Sequence, residues 1–265
     1  MRRKQRMQQV RRILLVVAYD GTAYCGWQVQ PNGDTIEAQL NRHLSELLEE
    51  PIHVMGASRT DSGVHSRGNV AVFDMHARMP ADRIAPAMNT RLPSDIKVVS
   101  SREVPLTFHP RYQQVIKTYE YRIYNNTVPD PCQRLYSLFY YWHLDEQKMQ
   151  QAADVLEGTH DFSSFCTHKP EIRDHVRTIY SIRVIREGDL VRILIRGNGF
   201  LYNMVRIIVG TLLRIGTGMI PVSAMQEILD AKDRNAACET ARPEGLTLLK
   251  IEYPDAEPGN RPENH

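Results

Sequence analysis

The stretch from Phe200 to Ile215 restricts what this chain can fold into more than any other. It is apolar on nearly every side, so a helix built from it belongs between layers, not on a surface. Its most apolar part, Met204 to Ile215, carries Arg206 and Arg214 and is too short to cross a bilayer. Such a helix requires a sizeable core. Hydrophobic residues make up 42% of the 265 and charged residues 24%, enough for a core without a metal or disulfide staple.

Arg206 is the anomaly inside that helix. A buried guanidinium is costly unless paired, so Arg206 either reaches a carboxylate or snorkels from the helix edge. The residues before it, Gly197-Asn198-Gly199, resemble a dinucleotide fingerprint, but Tyr202 stands where the third glycine belongs.

The rest of the chain alternates strands and helices. Ile13 to Tyr19 reads as a buried strand closed by the turn Asp20-Gly21. Asp34-Thr35-Ile36-Glu37 reads as a helix start, with an acceptor and a glutamate three residues on; Ile36, Leu40, Leu44, Leu47 and Leu48 follow on one face. Strands are expected at 52–55, 69–73 and 97–99, and a short helix at 80–88. A second unit opens near Phe108. It holds a strand from Lys117 to Tyr124, a helix capped by Asp145, a hairpin (179–185 and 190–195) around Glu187-Gly188-Asp189, a helix over 222–229 and a last strand from Leu246 to Tyr253. This predicts an α/β (α+β) fold: two pseudo-equivalent domains of mixed or antiparallel sheet, helices on one face of each, and an active-site cleft between them. The expected segments are a basic N-terminal tail 1–12, domains 13–107 and 108–253, and a disordered, proline-rich tail 254–265. The basic tail reads either as a phosphate-seeking arm or as solvated coil.

Three stretches carry candidate chemistry. Ser58-Arg59-Thr60-Asp61-Ser62-Gly63-Val64-His65 places an acid, a base-capable histidine and an arginine between two strands; it is either a polar turn or a carboxylate displayed on a loop. In Lys117-Thr118-Tyr119-Glu120-Tyr121-Arg122, the two tyrosines share one strand face, either as cross-strand packing or as an aromatic platform for a base. The third is the Arg206 helix. Cys166, His168 and His175 fit no zinc spacing. There is no phosphate-binding loop, nucleophile elbow or H-E-x-x-H, and Cys25, Cys132, Cys166 and Cys238 read as reduced thiols of a cytosolic protein. Net charge is only +2, from 33 Lys+Arg against 31 Asp+Glu, so any anionic partner must be read from placement, and arginines recur beside these stretches.

Taken together, these segments resemble the tRNA pseudouridine synthase A (TruA) family from about Ile13 to Tyr253. The resemblance rests on Ala18-Tyr19-Asp20-Gly21-Thr22, Gly26-Trp27-Gln28, Arg59 to His65, Lys117 to Tyr121, Asp161-Phe162-Ser163-Ser164-Phe165, Phe200 to Gly210 and Glu244-Gly245-Leu246. It implies Asp61 as the catalytic aspartate, Tyr119 as the active-site tyrosine, and Arg206 as the arginine that pairs with Asp61. It also implies Arg59 as the residue inserted where the target base is extruded, with His65, Arg67, Arg111 and Lys117 as RNA contacts. Implied further are a cytoplasmic homodimer acting on the anticodon arm of tRNA at positions 38, 39 and 40, and no cofactor, metal or membrane. Ser58, Ser62 and Asn69 stand where glycine, alanine and glutamine are usual, which bears on substrate range. A paralogue acting on another RNA, and an RNA-binding module without catalysis, are the competing readings.

Overall fold

The computed structural model describes residues 9–167 and 173–254. They form two compact units, divided between Gln113 and Gln114. The division falls later than the Phe108 expected from sequence because the 105–108 turn is tied back to the first strand. The guanidinium of Arg12 donates to the carbonyls of Leu106 (2.6 Å) and Phe108 (2.9 Å).

In the first unit, β1 (Arg11–Tyr19) lies between β4 (Ile96–Val104) and β3 (His65–Met75), antiparallel to both, and the short β2 (Met55–Gly56) pairs with β3. Helices α1 (Ile36–Leu48) and α2 (Ala81–Asn89) complete it. Successive strand side chains point to opposite faces. Ile13, Leu15 and Val17 of β1 therefore join Phe73 and Met75 of β3, Ile36, Leu40 and Leu44 of α1, and Ile84 and Met88 of α2 in one core. Leu47 is only partly buried against it. The cap of α1 is Thr35, whose side chain accepts from Ala38 N–H (3.3 Å). Glu37 does not close a capping box; its carboxylate accepts from Val29 N–H (2.8 Å) and braces the preceding loop. Arg11 and Arg12 belong to β1 and not to a tail, each paired with a carboxylate, Glu103 at 2.6 Å and Asp74 at 2.7 Å. Of the predicted tails, residues 1–8 and 255–265 lie outside the described part.

The second unit is built on β5 (Ile116–Asn125). Antiparallel to it run β10 (Leu246–Glu252) on one edge and β9 (Leu190–Gly197) on the other. Beyond β9 come β8 (Val176–Glu187) and β7 (Gly158–Asp161), also antiparallel, while β6 (Leu138–Tyr140) pairs parallel with the end of β5. The unit also holds α3 (Glu146–Asp154), α4 (Met204–Gly216) and α5 (Ala224–Ala231). Asp145 caps α3 as expected, accepting from the N–H groups of Gln147 and Lys148. Helix α4 starts at Met204, four residues after Phe200, because Asn203 takes a left-handed conformation (φ 62°). Both sides of α4 are covered. Gly216 faces Met149 and Leu144, and a Cβ on Gly210 would collide with the carbonyl of Glu239. Segment 237–241 thus crosses the helix at backbone distance, and Ala241 N–H donates to the Arg206 carbonyl (3.0 Å).

Candidate active site

Asp61 sits at the tip of the loop between β2 and β3, half-buried. The loop is held by side chains and backbone far away in sequence. Tyr19, at the end of β1, shares a hydrogen bond between its hydroxyl and that of Thr60 (2.8 Å). The Thr60 carbonyl accepts from Trp27 N–H (3.1 Å), and the Tyr24 carbonyl accepts from Gly63 N–H (3.3 Å) and the Ser62 hydroxyl (3.2 Å). Asn69, fully buried in β3, donates from Nδ2 to the Ser58 carbonyl (2.9 Å) and to the Tyr19 oxygen (3.3 Å). Two glycines allow this approach. Gly26 has φ +85°, and a Cβ there would stand 2.6 Å from the Thr60 carbonyl; a Cβ on Gly21 would collide with the Val64 carbonyl. The loop closes on itself through Val64 N–H to the Asp61 carbonyl (3.2 Å), with Gly63 at φ 78°. A carboxylate on a loop braced in this way keeps its position when a substrate arrives.

The other sequence candidates of this unit divide into two kinds. His65 is buried; its Nδ1 lies 3.1 Å from both Gly21 N and Asp20 Oδ1, which places it among the braces of the loop and not on the surface. Arg59, Arg67 and Arg111 are exposed, and none has an ion-pair partner among the described residues.

In the second unit, Tyr119 lies on β5 opposite Ile195 and Leu248, and Phe200 stands edge-on to its ring (5.2 Å, 85°). Tyr121 does not share a base platform with it. Its ring is fully buried and its hydroxyl donates to the Arg242 carbonyl (2.6 Å); burial, with Glu244 nearby, pushes its pKa up. Glu120 between them is also buried; it accepts from Arg192 Nε (2.6 Å) and lies in ion-pair range of Arg122 (3.0 Å). Lys117 is the second residue of the same strand and is half-buried. Arg206, in the first turn of α4, is half-buried; its guanidinium donates to the Ala241 carbonyl (2.7 Å) and to Asn203 Oδ1 (3.1 Å). Those acceptors aim it along the helix start, so it is not a loosely snorkelling side chain.

The segment Asp161 to Phe165 bears on the core of this unit. Asp161 Oδ1 accepts from Ser163 N–H (3.0 Å) and hydroxyl (2.6 Å), Ser164 donates to the Ile228 carbonyl (2.6 Å), and Phe162 and Phe165 are fully buried. Cys166 is buried, His168 lies outside the described residues, and no group of three or more potential metal ligands occurs among the described ones. Sequence reasoning gave no role to Tyr19, Tyr24, Trp27 or Asn69. Tyr19 and Trp27 entered it only within the motifs Ala18 to Thr22 and Gly26 to Gln28, and Asn69 only as a departure from the family pattern.

The first unit thus displays a carboxylate on a braced loop, and exposed arginines without a carboxylate partner among the described residues stand two positions before it and six after it in sequence. A family model described as tRNA pseudouridine synthase matches residues 15–113 and 152–254. The tRNA pseudouridine synthase A of Halalkalibacterium halodurans is 47% identical over 238 residues, covering 89% of this chain and 90% of the relative. Those of Exiguobacterium (44%) and Brevibacillus brevis (43%) each align over 244 residues, 92% of this chain and 98% and 100% of the relatives. The chain belongs to the tRNA pseudouridine synthase family and is an isomerase of tRNA uridine. Among the described residues, no helix is long and apolar enough to cross a membrane.

Proposed function

We propose that this chain converts uridine to pseudouridine at positions 38, 39 and 40 of the tRNA anticodon arm, with Asp61 as the catalytic residue. The reaction breaks the N1–C1′ bond, turns the base and forms C5–C1′; the C5 proton leaves and N1 gains one, so atoms balance without a redox partner or a nucleotide triphosphate. Asp61 acts on the sugar, either by attack at C1′ or by removal of the 2′ proton. Tyr119 lies beside the base and assists departure of the C5 proton. Arg206 stabilises the Asp61 carboxylate. Arg59 fills the space vacated by the extruded uridine, and Arg67, Arg111 and Lys117 contact phosphates. The enzyme works as a cytoplasmic homodimer. The relatives' printed name, tRNA pseudouridine synthase A, supports the substrate. The observation that carries the catalytic assignment is the bracing of the Asp61 loop by Tyr19, Tyr24, Trp27 and Asn69, a cost in buried polar groups that a plain turn would not require. Tritium release from tRNA labelled at uridine C5 tests it. Asp61→Ala is expected to release no tritium while binding tRNA with near-normal affinity; release at the wild-type rate sinks the assignment.

A further inference from the structure

One loop of the first unit carries a feature that the catalytic assignment does not use. His109 and Tyr112 stack face to face, with ring centroids 4.0 Å apart and planes 18° from parallel. Tyr112 is 85% exposed, more than any other large apolar side chain among the described residues. One face of its ring is covered by the imidazole; the high exposure leaves the other face to solvent. The loop beneath is fixed. Phe108 is buried, its N–H donates to the Pro105 carbonyl (2.9 Å), and Arg12, itself held by Asp74, grips the Leu106 and Phe108 carbonyls. His109 Nδ1 accepts from the Arg111 N–H (3.1 Å), while burial and the positive charges of Arg111 and Arg12 hold its pKa down. The Arg111 side chain is exposed and has no ion-pair partner among the described residues. Tyr141 and Trp142, also exposed and adjacent, meet edge to face at 85° and present no parallel stack.

We infer that the His109–Tyr112 stack is a platform on which an unpaired base of the bound RNA stacks, with Arg111 beside it as a phosphate contact. The inference rests on the proposed activity on tRNA and adds a binding contact to it. Every base has a π-face, so such a platform grips an unpaired nucleotide without reading its sequence, and a flanking cation adds the backbone contact. An aromatic already held against its neighbour loses little further freedom on binding.

The test uses the full chain and unmodified tRNA transcripts. Loss of one stacked base corresponds to about a 5- to 150-fold weaker Kd, so Tyr112→Ala is expected to raise Kd and KM within that range. Its kcat at saturating tRNA and its melting temperature should stay at wild-type values, since Tyr112 touches no reacting atom and buries almost nothing. Tyr112→Phe should bind as the wild type does, because the ring and not the hydroxyl makes the contact. Tyr112→Trp should show indole fluorescence quenched by tRNA beyond the wild-type response of Trp27 and Trp142. Wild-type affinity in Tyr112→Ala, or equal weakening in Tyr112→Phe, overturns the platform while wild-type turnover leaves the activity standing. A wild-type protein that neither binds nor modifies tRNA overturns the activity, and the platform with it.

Discussion

At the residue scale, the position of Asp61 depends on residues far from it in sequence. Gly26 is the sharpest case. Its φ of +85° is unfavourable for any residue with a Cβ, and the added atom would press on the Thr60 carbonyl. Gly26→Ala is expected to cost about 2–3 kcal/mol of stability in denaturant titrations and to cut turnover further than that loss explains, because Thr60 precedes Asp61. Asn69 and Ser58 form a second case. Both depart from the residues usual in the resembling family, and they touch: the Asn69 amide donates to the Ser58 carbonyl. A glutamine at 69 adds a methylene to a fully buried site, which costs about 1–3 kcal/mol unless the neighbour yields. Ser58→Gly loosens the backbone whose carbonyl receives the amide. Asn69→Gln alone should therefore destabilise, and the double variant should recover part of the loss; strict additivity in the double-mutant cycle would show the two departures to be independent. None of these contacts was legible in the sequence. The Tyr19–Thr60 and Tyr19–Asn69 bonds join residues 41 and 50 positions apart, and local periodicity carries no information at that separation.

Elements were more legible than their ends. The leucine spacing of α1 revealed its buried face because a helix repeats every 3.6 residues. The same logic drew α4 too long. Phe200 and Leu201 are apolar and extend the pattern, but the start is set by the left-handed Asn203, which hydrophobic spacing does not sense. In β5, alternation placed Tyr119 and Tyr121 on one face correctly, yet it missed that Tyr121 is sealed by Arg242 while Tyr119 meets Phe200. The turn Asp161 to Phe165 supplies an element-scale test through pH. Ser163, through hydroxyl and N–H, holds the Asp161 carboxyl below its ordinary value against the opposing effect of burial. A carboxyl whose folded pKa is depressed contributes stability above its unfolded pKa, about 3.9, and loses it as pH falls through the folded value. Asp161→Asn keeps an acceptor but not the charge. It should melt about 2–4 °C below the wild type at pH 7, with the gap closing below about pH 4. A gap that persists unchanged in acid would assign the effect to packing of Phe162 and Phe165 and not to the charge.

For the molecule as a whole, charge is the property the composition hides. A net charge of +2 suggests indifference to a polyanion. The pairing pattern says otherwise. Arg11, Arg12, Arg122, Arg183, Arg186, Arg192 and Arg214 are each spent on a carboxylate, whereas Arg59, Arg67 and Arg111, all in the first unit, are among the exposed arginines with no carboxylate partner among the described residues. Neutralising a phosphate releases its condensed counterions, so each such arginine adds about 0.7–0.9 to the magnitude of the slope of log Kobs against log salt. Three arginines alone give a slope near −2 to −3, whatever the net charge. Affinity for tRNA is therefore expected to fall steeply between low and physiological salt. Each of Arg59→Ala, Arg67→Ala and Arg111→Ala should flatten the slope by about 0.7–0.9, and the triple variant by about 2–3. Substituting a paired arginine such as Arg214, bound to Glu239 at 2.6 Å, should leave the slope unchanged, because its charge is already compensated. Fluorescence anisotropy of labelled tRNA across a salt series reads all of these. A wild-type slope near zero, or equal flattening by the Arg214 substitution, would mean that binding does not run through the unpaired arginines.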